Sequence, residues 1–207
     1  MRIAIATDAW SPQVSGVVTS LTQTRDHLIK DGHEVLMITN EGRKSFPLPS
    51  YPEIKLALFP GRQIARELDA FEPDCVHVAT EGTIGLATRR YCIKRDIPFT
   101  TAYHTQMPEY VRARFPIPIS WTYAIFRWFH KPAARTMVPT VSMRERLQER
   151  GFKNVVLWTR GVQTDIFKPD DAIEYGFESP VWVYFGRVAV EKNIEAFLDL
   201  DLPGTKV

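Results

Sequence analysis

The fold of this chain is decided by its first residues, MRIAIATDAWSPQVSGVVTSLTQTRDHLIKDGHEVLMIT, Met1 to Thr39. A short apolar run from Arg2 to Thr7 leads into a loop, and apolar residues at helical spacing follow from Val17 to Leu28. Gly32 stands where a helix would end, and a β-branched run from His33 to Thr39 comes after it. Such a nearly continuous apolar run is typical of a strand covered on both faces. The stretch therefore predicts a strand, a helix and a second strand.

The same alternation continues along the chain and predicts an α/β fold. Because helices separate the strands, we expect a doubly wound parallel sheet of the Rossmann-like kind, with about seven strands. The further predicted elements are, in order, a strand over 53–59, a helix over 63–71, a strand over 74–80, a helix over 83–94, a strand over 97–105, a long helical stretch over 108–135, a strand over 136–140, a helix that starts with a capping box at Ser142–Glu145, and a strand over 154–158.

A change of pattern near residue 170 predicts two domains. Residues 160–180 are rich in loop-forming types, and VWVYFGR (Val181–Arg187) then starts a new strand-like run. We expect an N-terminal domain over 1–168, a linker over 169–180 and the beginning of a second Rossmann-like domain over 181–207. This last segment is shorter than the roughly 40 residues that fold without disulfides or metal, which predicts an incomplete second domain.

Composition excludes several classes of protein. The 26 basic and 24 acidic residues leave a net charge of +2, so we expect no binding of nucleic acid through charge. Cys75 and Cys92 lack metal-site spacing, which favours reduced thiols. The N-terminal apolar run is too short for a signal sequence, and no run of about 18 apolar residues occurs. We therefore expect a cytoplasmic protein, either soluble or peripheral to the inner face of the plasma membrane.

Several polar residues follow predicted strands, where open α/β sheets bind their ligands. Gly16 starts a helix after the first strand, and backbone N–H groups there can receive a phosphate. His104 ends a predicted central strand, and Glu81 follows the strand before it. Arg187 and Lys192, in GRVAVEKN, would bring two cations to one diphosphate. Ordinary structural roles stay open for each: a turn glycine, a packed histidine, a helix-starting carboxylate and solvated cations.

Residues 108–135 combine aromatic rings with positive charge. Seven aromatic residues stand there with five basic residues and one acidic residue. Rings and cations in this mixture suit the interface of an anionic membrane. A helix pair that buries its rings against the sheet is the other interpretation.

Five segments in fixed order resemble the family 4 glycosyltransferases, most of all the bacterial mannosyl- and glucosyltransferases that modify lipid acceptors. They are the loop PxxSGV at 12–17, EGTIG at 81–85, AYHT at 102–105, RGVQTDIFKP at 160–169 and GRVAVEKN at 186–193. The resemblance implies the GT-B fold, in which two Rossmann-like domains face each other across a cleft. It also implies retaining transfer of a hexose from GDP-mannose or a UDP-hexose to a lipid or sugar acceptor, with no cofactor and no essential metal. The DLD segment at 199–201 has metal-site spacing but falls late in a predicted helix, where no metal ion is expected.

The resemblance also assigns roles to single residues. His104 would contact the transferred sugar, and Arg187 with Lys192 would neutralise the leaving diphosphate. Donor contacts fall on Gly16, Val17, Arg187 and Lys192, and acceptor contacts fall on Asp8, Glu81 and Thr105.

One departure from the family pattern limits the expected activity. The pair of glutamates that holds the donor in family members lies beyond residue 207, so the chain as given is expected to turn over little or nothing. Two other functions stay open: a sugar-nucleotide epimerase of the same fold, and a non-catalytic module that binds an acceptor or a membrane.

Overall fold

The computed structural model describes residues 1–48, 51–169, 176–186 and 188–207. The chain forms two compact units. The first contains Met1–Gln106 and Ser120–Arg160, and the second contains Met107–Ile119 and Gly161–Val207. Residues 107–119, which we expected within the N-terminal domain, thus group with the second unit, and the domain boundaries at 168 and 181 stay a prediction.

The elements follow one another in the predicted alternation. In chain order they are β1 (Arg2–Ala6), α1 (Gly16–Lys30), β2 (Glu34–Ile38), β3 (Ser45–Leu48), β4 (Tyr51–Ala57), α2 (Gly61–Phe71), β5 (Cys75–Val78), α3 (Thr83–Lys94), β6 (Phe99–Ala102), α4 (Met107–Arg114), α5 (Ile119–His130), β7 (Arg135–Val138), α6 (Val141–Glu149), β8 (Val155–Leu157), β9 (Val181–Trp182), a 3-10 helix (Val190–Lys192), α7 (Ile194–Leu198) and β10 (Thr205–Lys206).

The sheet of the first unit has six parallel strands in the order β2-β1-β5-β6-β7-β8. The doubly wound parallel sheet is therefore confirmed, but the expected seventh strand is wrong. The run at 53–59 lies in β4, which pairs antiparallel with β3 in a separate two-stranded sheet. A strand that joins its neighbour in parallel needs a crossover connection, usually a helix. Residues 40–52, between the second and third predicted strands, contain Gly42, Pro47, Pro49 and Pro52, which disfavour a crossover helix, and β4 pairs antiparallel with β3 instead.

The structure also divides one predicted helical stretch into two helices and moves one predicted helix start. The long stretch at 108–135 is two helices, α4 and α5, with Pro116 and Pro118 in the break between them. The capping box at Ser142–Glu145 is wrong, because Thr140 is the N-cap of α6 and its hydroxyl accepts a hydrogen bond from the backbone N–H of Met143 at 3.2 Å.

Helices cover both faces of the sheet, as the apolar strands require. On one face Ile64 and Leu68 of α2 and Ile84 of α3 are fully buried against Val76 and other strand residues. On the other face Leu21 of α1 is fully buried and belongs to a cluster with Ile5 and Ala79. Each large aliphatic side chain buried in this way stabilises the fold by about 2 kcal/mol. Among the described residues, no helix has both the length and the apolar character that crossing a bilayer requires.

The second unit has little regular structure. Strands β9 and β10 pair in parallel, and α7 is a short helix between them in the chain. The run predicted as a strand over 181–187 is a strand only at Val181–Trp182. Arg187 lies outside the described residues.

Candidate ligand site at the carboxyl edge of the sheet

The strand order brings several predicted site residues to one edge of the sheet. From β1 the chain passes to β2 on one side and later to β5 on the other, which creates a switch point between β1 and β5. Asp8 follows β1, Glu81 follows β5 and His104 follows β6. Because the strands are parallel, these residues lie at the carboxyl edge, where open α/β sheets bind ligands. Arg160, which follows β8, lies at this edge as well.

The carboxylate of Asp8 ties β1 to the start of α3. Its Oδ1 accepts hydrogen bonds from the backbone N–H of Ile84 at 2.9 Å and the hydroxyl of Thr83 at 3.3 Å. Its Oδ2 accepts from the backbone N–H of Gly85 at 3.2 Å and the hydroxyl of Thr80 at 3.0 Å. Burial raises the pKa of Asp8, and these four hydrogen bonds oppose the rise. An acceptor contact by Asp8 stays a prediction, while the structure uses the carboxylate to cap a helix.

The two glycines of EGTIG allow the carboxylate and the helix to approach so closely. A Cβ on Gly82 would overlap the carboxylate of Asp8, and a Cβ on Gly85 would overlap the backbone carbonyl of Thr80. Since a backbone carbonyl has little room to move, any side chain at position 85 would push α3 away from β5. These glycines therefore fix the place of Glu81, which directly precedes them.

The Glu81 carboxylate contacts a buried histidine. Its Oε1 lies 3.2 Å from Nε2 of His130, the last residue of α5. The His130 side chain is fully buried, whereas 18% of the Glu81 side chain is exposed. The carboxylate is thus anchored on the protein side and open to solvent on the other, which leaves it able to accept hydrogen bonds from a ligand.

His104 presents an unused hydrogen-bond donor. Its Nδ1 is bonded to Nη2 of Arg160, and a guanidinium only donates, so Nδ1 is the acceptor. The proton of the neutral ring is therefore on Nε2. Burial, the charge of Arg160 and the neighbouring His77 lower the pKa of His104 to about 3. Nε2 is buried and has no hydrogen-bond partner within the part of the chain that the structure describes.

His77 lies beside His104 but has a different setting. Its Nδ1 lies 2.8 Å from the hydroxyl of Thr100, and its ring meets Trp158 edge to face. Burial lowers the pKa of His77 to about 4. It lines an apolar cavity of about 500 Å³ on the sheet face, together with residues such as Ile5 and Leu28.

The remaining predicted site residues lie in different surroundings. Gly16 is the first residue of α1, and a Cβ there would meet no atom within 4 Å. Val17 is half-buried on the same helix, and Thr105 is half-buried just after His104. Lys192 is exposed at the end of the 3-10 helix of the second unit. Arg187, its expected partner on the diphosphate, lies outside the described residues, so the cation pair stays a prediction.

Sequence reasoning missed two residues of this edge. Arg160 could have been predicted, because it follows the last strand of the sheet, β8, and so shares the carboxyl edge with His104. His130 gave no such signal, since it ends a helix and reaches Glu81 only through the packing of α5.

Comparison with known proteins identifies the family. The sequence profile of Glycosyltransferase Family 4 matches residues 14–166, and the chain belongs to this family. The family expected from the five segments is thereby confirmed. A solved structure, the MnaA–UDP co-structure from S. aureus, covers 75% of this chain and 42% of its own, with a TM-score of 0.43 and 15% identity.

Curated relatives share a quarter to a third of their residues with the chain. A GDP-mannose-dependent alpha-mannosyltransferase of Mycobacterium tuberculosis is 27% identical over 99% of this chain and 60% of its own length. The sulfoquinovosyl transferase of Arabidopsis thaliana is 27% identical over 88% of this chain and 41% of its own. An alpha-monoglucosyldiacylglycerol synthase of Streptococcus pneumoniae is 33% identical over 54% of this chain and 28% of its own. The chain thus spans 60% or less of the length of these relatives.

The two neutral histidines make the fold sensitive to acid. Their pKa values of about 4 and about 3 lie below the value of about 6.5 in an unfolded chain. As the pH falls below about 6.5, the unfolded chain binds protons that folded His77 and His104 do not, so stability is lost. Near pH 5 each histidine adds about 1.4 kcal/mol per pH unit to the dependence of the free energy of unfolding on pH. In His77→Leu, the free energy of unfolding, measured with urea between pH 6.5 and 4.5, should therefore change less steeply with pH than in wild type, by about that amount. An unchanged slope in the variant would contradict the buried neutral state of His77.

Proposed function

We propose that the chain is the acceptor-side part of a retaining glycosyltransferase that moves a hexose from a nucleotide-sugar to a lipid or sugar acceptor. The observation that carries the proposal is the free Nε2–H of His104 at the carboxyl edge of the sheet. A buried, neutral donor suits a sugar hydroxyl, because it binds oxygen without adding charge. Two relatives are named for related activities. The GDP-mannose-dependent mannosyltransferase supports a nucleotide-sugar donor, and the monoglucosyldiacylglycerol synthase supports a lipid acceptor.

The proposed step needs few groups from this chain. The acceptor oxygen forms a bond to the anomeric carbon, and the bond from that carbon to the diphosphate oxygen breaks on the same face. The hydroxyl proton passes to the leaving phosphate. His104 holds the sugar, the N–H groups at Gly16 and Val17 approach the phosphates, and Arg187 with Lys192 neutralise the developing negative charge. Glu81 and Thr105 receive the acceptor.

A transfer assay on the complete gene product tests the proposal. GDP- and UDP-hexoses are each combined with diacylglycerol-type lipids and with soluble sugars. In His104→Ala, transfer should fall by about 100-fold, because a donor that stabilises the transition state is lost. His27→Ala is the matched control, since His27 lies exposed on α1 and its ring nitrogen Nδ1 bonds to the carbonyl of Gln23 in its own helix.

Each outcome of that assay has a definite meaning. Transfer that survives in His104→Ala would contradict the role of this residue. Change of the donor without any acceptor would favour the epimerase, and binding without turnover would favour the non-catalytic module. The 207-residue chain in the same assay tests the expectation of little turnover by this chain alone.

Two matched glycines separate phosphate binding from folding. Gly16 and Gly61 are both the first residue of a helix, and a Cβ on either would meet no atom within 4 Å. Alanine is therefore tolerated at both positions as far as the fold is concerned. At position 16 the added methyl group would stand where a phosphate approaches the helix N-terminus. We expect Gly16→Ala to raise the donor KM by about tenfold or more with an unchanged melting temperature, and Gly61→Ala to change neither. Equal effects of the two substitutions would contradict a phosphate site at α1.

A second part of the proposal is contact between α5 and an anionic membrane. Helix α5 exposes three apolar side chains at helical spacing. The exposed fraction is 68% for Trp121, 61% for Ile125 and 54% for Trp128. Tyr123 and Phe129 of the same helix are buried, so α5 packs some of its rings inside the protein and exposes other apolar side chains to solvent. Beside Trp128 lies a cavity of about 580 Å³ whose lining includes the cations Arg127, Lys131 and Lys153. Exposed rings next to cations suit the headgroup region of an anionic bilayer.

Vesicle binding tests this surface with a matched control. Ile125→Ser removes an apolar side chain from the proposed surface, and Ile93→Ser removes one that is 46% exposed on α3. Binding to phosphatidylglycerol vesicles should weaken about fivefold for Ile125→Ser and stay unchanged for Ile93→Ser. Equal binding by the two variants would contradict the assignment to α5.

A further inference from the structure

A buried chain of polar groups leads from the sheet to Glu81. His130 has its Nδ1 2.9 Å from the hydroxyl of Thr101, and that hydroxyl lies 3.0 Å from the hydroxyl of Thr136. The other ring nitrogen, Nε2, faces Oε1 of Glu81 at 3.2 Å. Thr101, Thr136 and His130 are all fully buried, so the exposed end of the chain is the Glu81 carboxylate.

The donor and acceptor groups set the direction of the hydrogen bonds in this buried series of side chains. A carboxylate only accepts hydrogen bonds, so Nε2 of His130 must carry a proton to bond Glu81. In the neutral ring, Nδ1 is then an acceptor and takes the proton of the Thr101 hydroxyl. Thr101 in turn accepts the proton of Thr136. With the ring in that form, every hydrogen bond in the series points toward Glu81.

The ring of His130 has little freedom to leave this position. Four aromatic rings surround it with centroids 5.1 to 6.4 Å away: Tyr103, Phe126, Phe129 and Phe152. The end of α5 is also fixed. Arg89 donates to the carbonyls of Trp128 and Phe129 at 3.0 and 2.8 Å, and Asn154 donates to the carbonyl of His130 at 3.0 Å.

We propose that His130 is a positioning residue that holds the Glu81 carboxylate at the sheet edge in the orientation that receives a hydroxyl of the acceptor. The inference rests on the proposed glycosyl transfer and adds a residue to its acceptor site. One oxygen of Glu81 is engaged by His130, and 18% of the side chain stays exposed and can meet a ligand. Without its buried partner the carboxylate would rotate among several conformers, and acceptor affinity would fall.

Two substitutions at position 130 separate positioning from packing. The amide nitrogen of glutamine reaches about as far as Nε2 of histidine, whereas that of asparagine reaches only as far as Nδ1. His130→Gln therefore keeps a donor to Glu81, and His130→Asn keeps the contact with Thr101 alone. Both replace the ring with a smaller polar amide and are expected to lower the melting temperature. Steady-state kinetics of the complete gene product would be measured for both, for Glu81→Ala, and for His130→Asn combined with Glu81→Ala.

The expected pattern is a change in acceptor affinity only. His130→Asn should raise the acceptor KM by about tenfold or more, the effect of losing a hydrogen bond to a charged group, with the donor KM within about twofold of wild type. His130→Gln should restore most of the loss, and His130→Asn should add nothing in the Glu81→Ala background, which has no side-chain acceptor left to position. Equal losses in the glutamine and asparagine variants, or additive losses in the double variant, would overturn the proposal.

A spectroscopic readout is independent of turnover. In the ¹⁵N NMR spectrum of histidine-labelled protein, the His130 signal, assigned by its loss in His130→Gln, should show a protonated Nε2. An unprotonated Nε2 would overturn the proposal even if transfer is observed. Absence of transfer by the wild-type protein with every donor and acceptor would instead overturn the proposed function, and the acceptor role of Glu81 with it.

Discussion

The hydrogen bonds between the Asp8 carboxylate and the first backbone N–H groups of α3 hold the site together. They join the end of β1 to the residues that follow β5, across the switch point of the sheet. A negative charge at a helix N-terminus satisfies N–H groups that have no partner within the helix, and it interacts favourably with the helix dipole. Gly82 and Gly85 are required because the carboxylate and the Thr80 carbonyl occupy the space where side chains would stand. The position of Glu81 follows from this contact, and the position of its partner His130 follows from the packing of α5.

Glu81 and His104 present opposite hydrogen-bonding groups at the carboxyl edge of the sheet. Glu81 is an acceptor whose buried partner donates to it, and His104 is a donor whose partner, the exposed Arg160, fixes the tautomer. Each therefore shows a ligand one defined hydrogen-bonding group. A sugar, which carries hydroxyl groups that both donate and accept, is matched by such a pair.

The sequence was informative where local pattern decides structure. Apolar runs separated by helical spacing predict the parallel sheet, and the position of His104 after a strand predicts its place at the carboxyl edge. The antiparallel pair of β3 and β4 was missed, although the prolines in the sequence between the second and third predicted strands disfavour a crossover helix. The cap of α6 was placed two residues late, because Thr140 and Ser142 are equally good caps in sequence and only the backbone decides between them.

Residues that act through long-range packing could not be read from the sequence. His130 has an ordinary position at the end of an aromatic helix, and its meeting with Glu81 depends on how α5 lies over the sheet. The acceptor role expected for Asp8 came from the family resemblance, but the close approach of α3 determines what its carboxylate contacts. The cation pair of Arg187 and Lys192 remains an expectation from the family resemblance.

Amide hydrogen exchange in wild type and Asp8→Ala tests the central role of the Asp8 carboxylate most directly. The backbone N–H groups of Ile84 and Gly85 lose their acceptors in the variant, so their exchange should become at least about tenfold faster. The N–H of Ile64 in the first turn of α2 bonds to the carbonyl of Pro60 and should keep its protection. Unchanged protection at residues 84 and 85 would contradict the account, because the start of α3 would then be held by something other than Asp8.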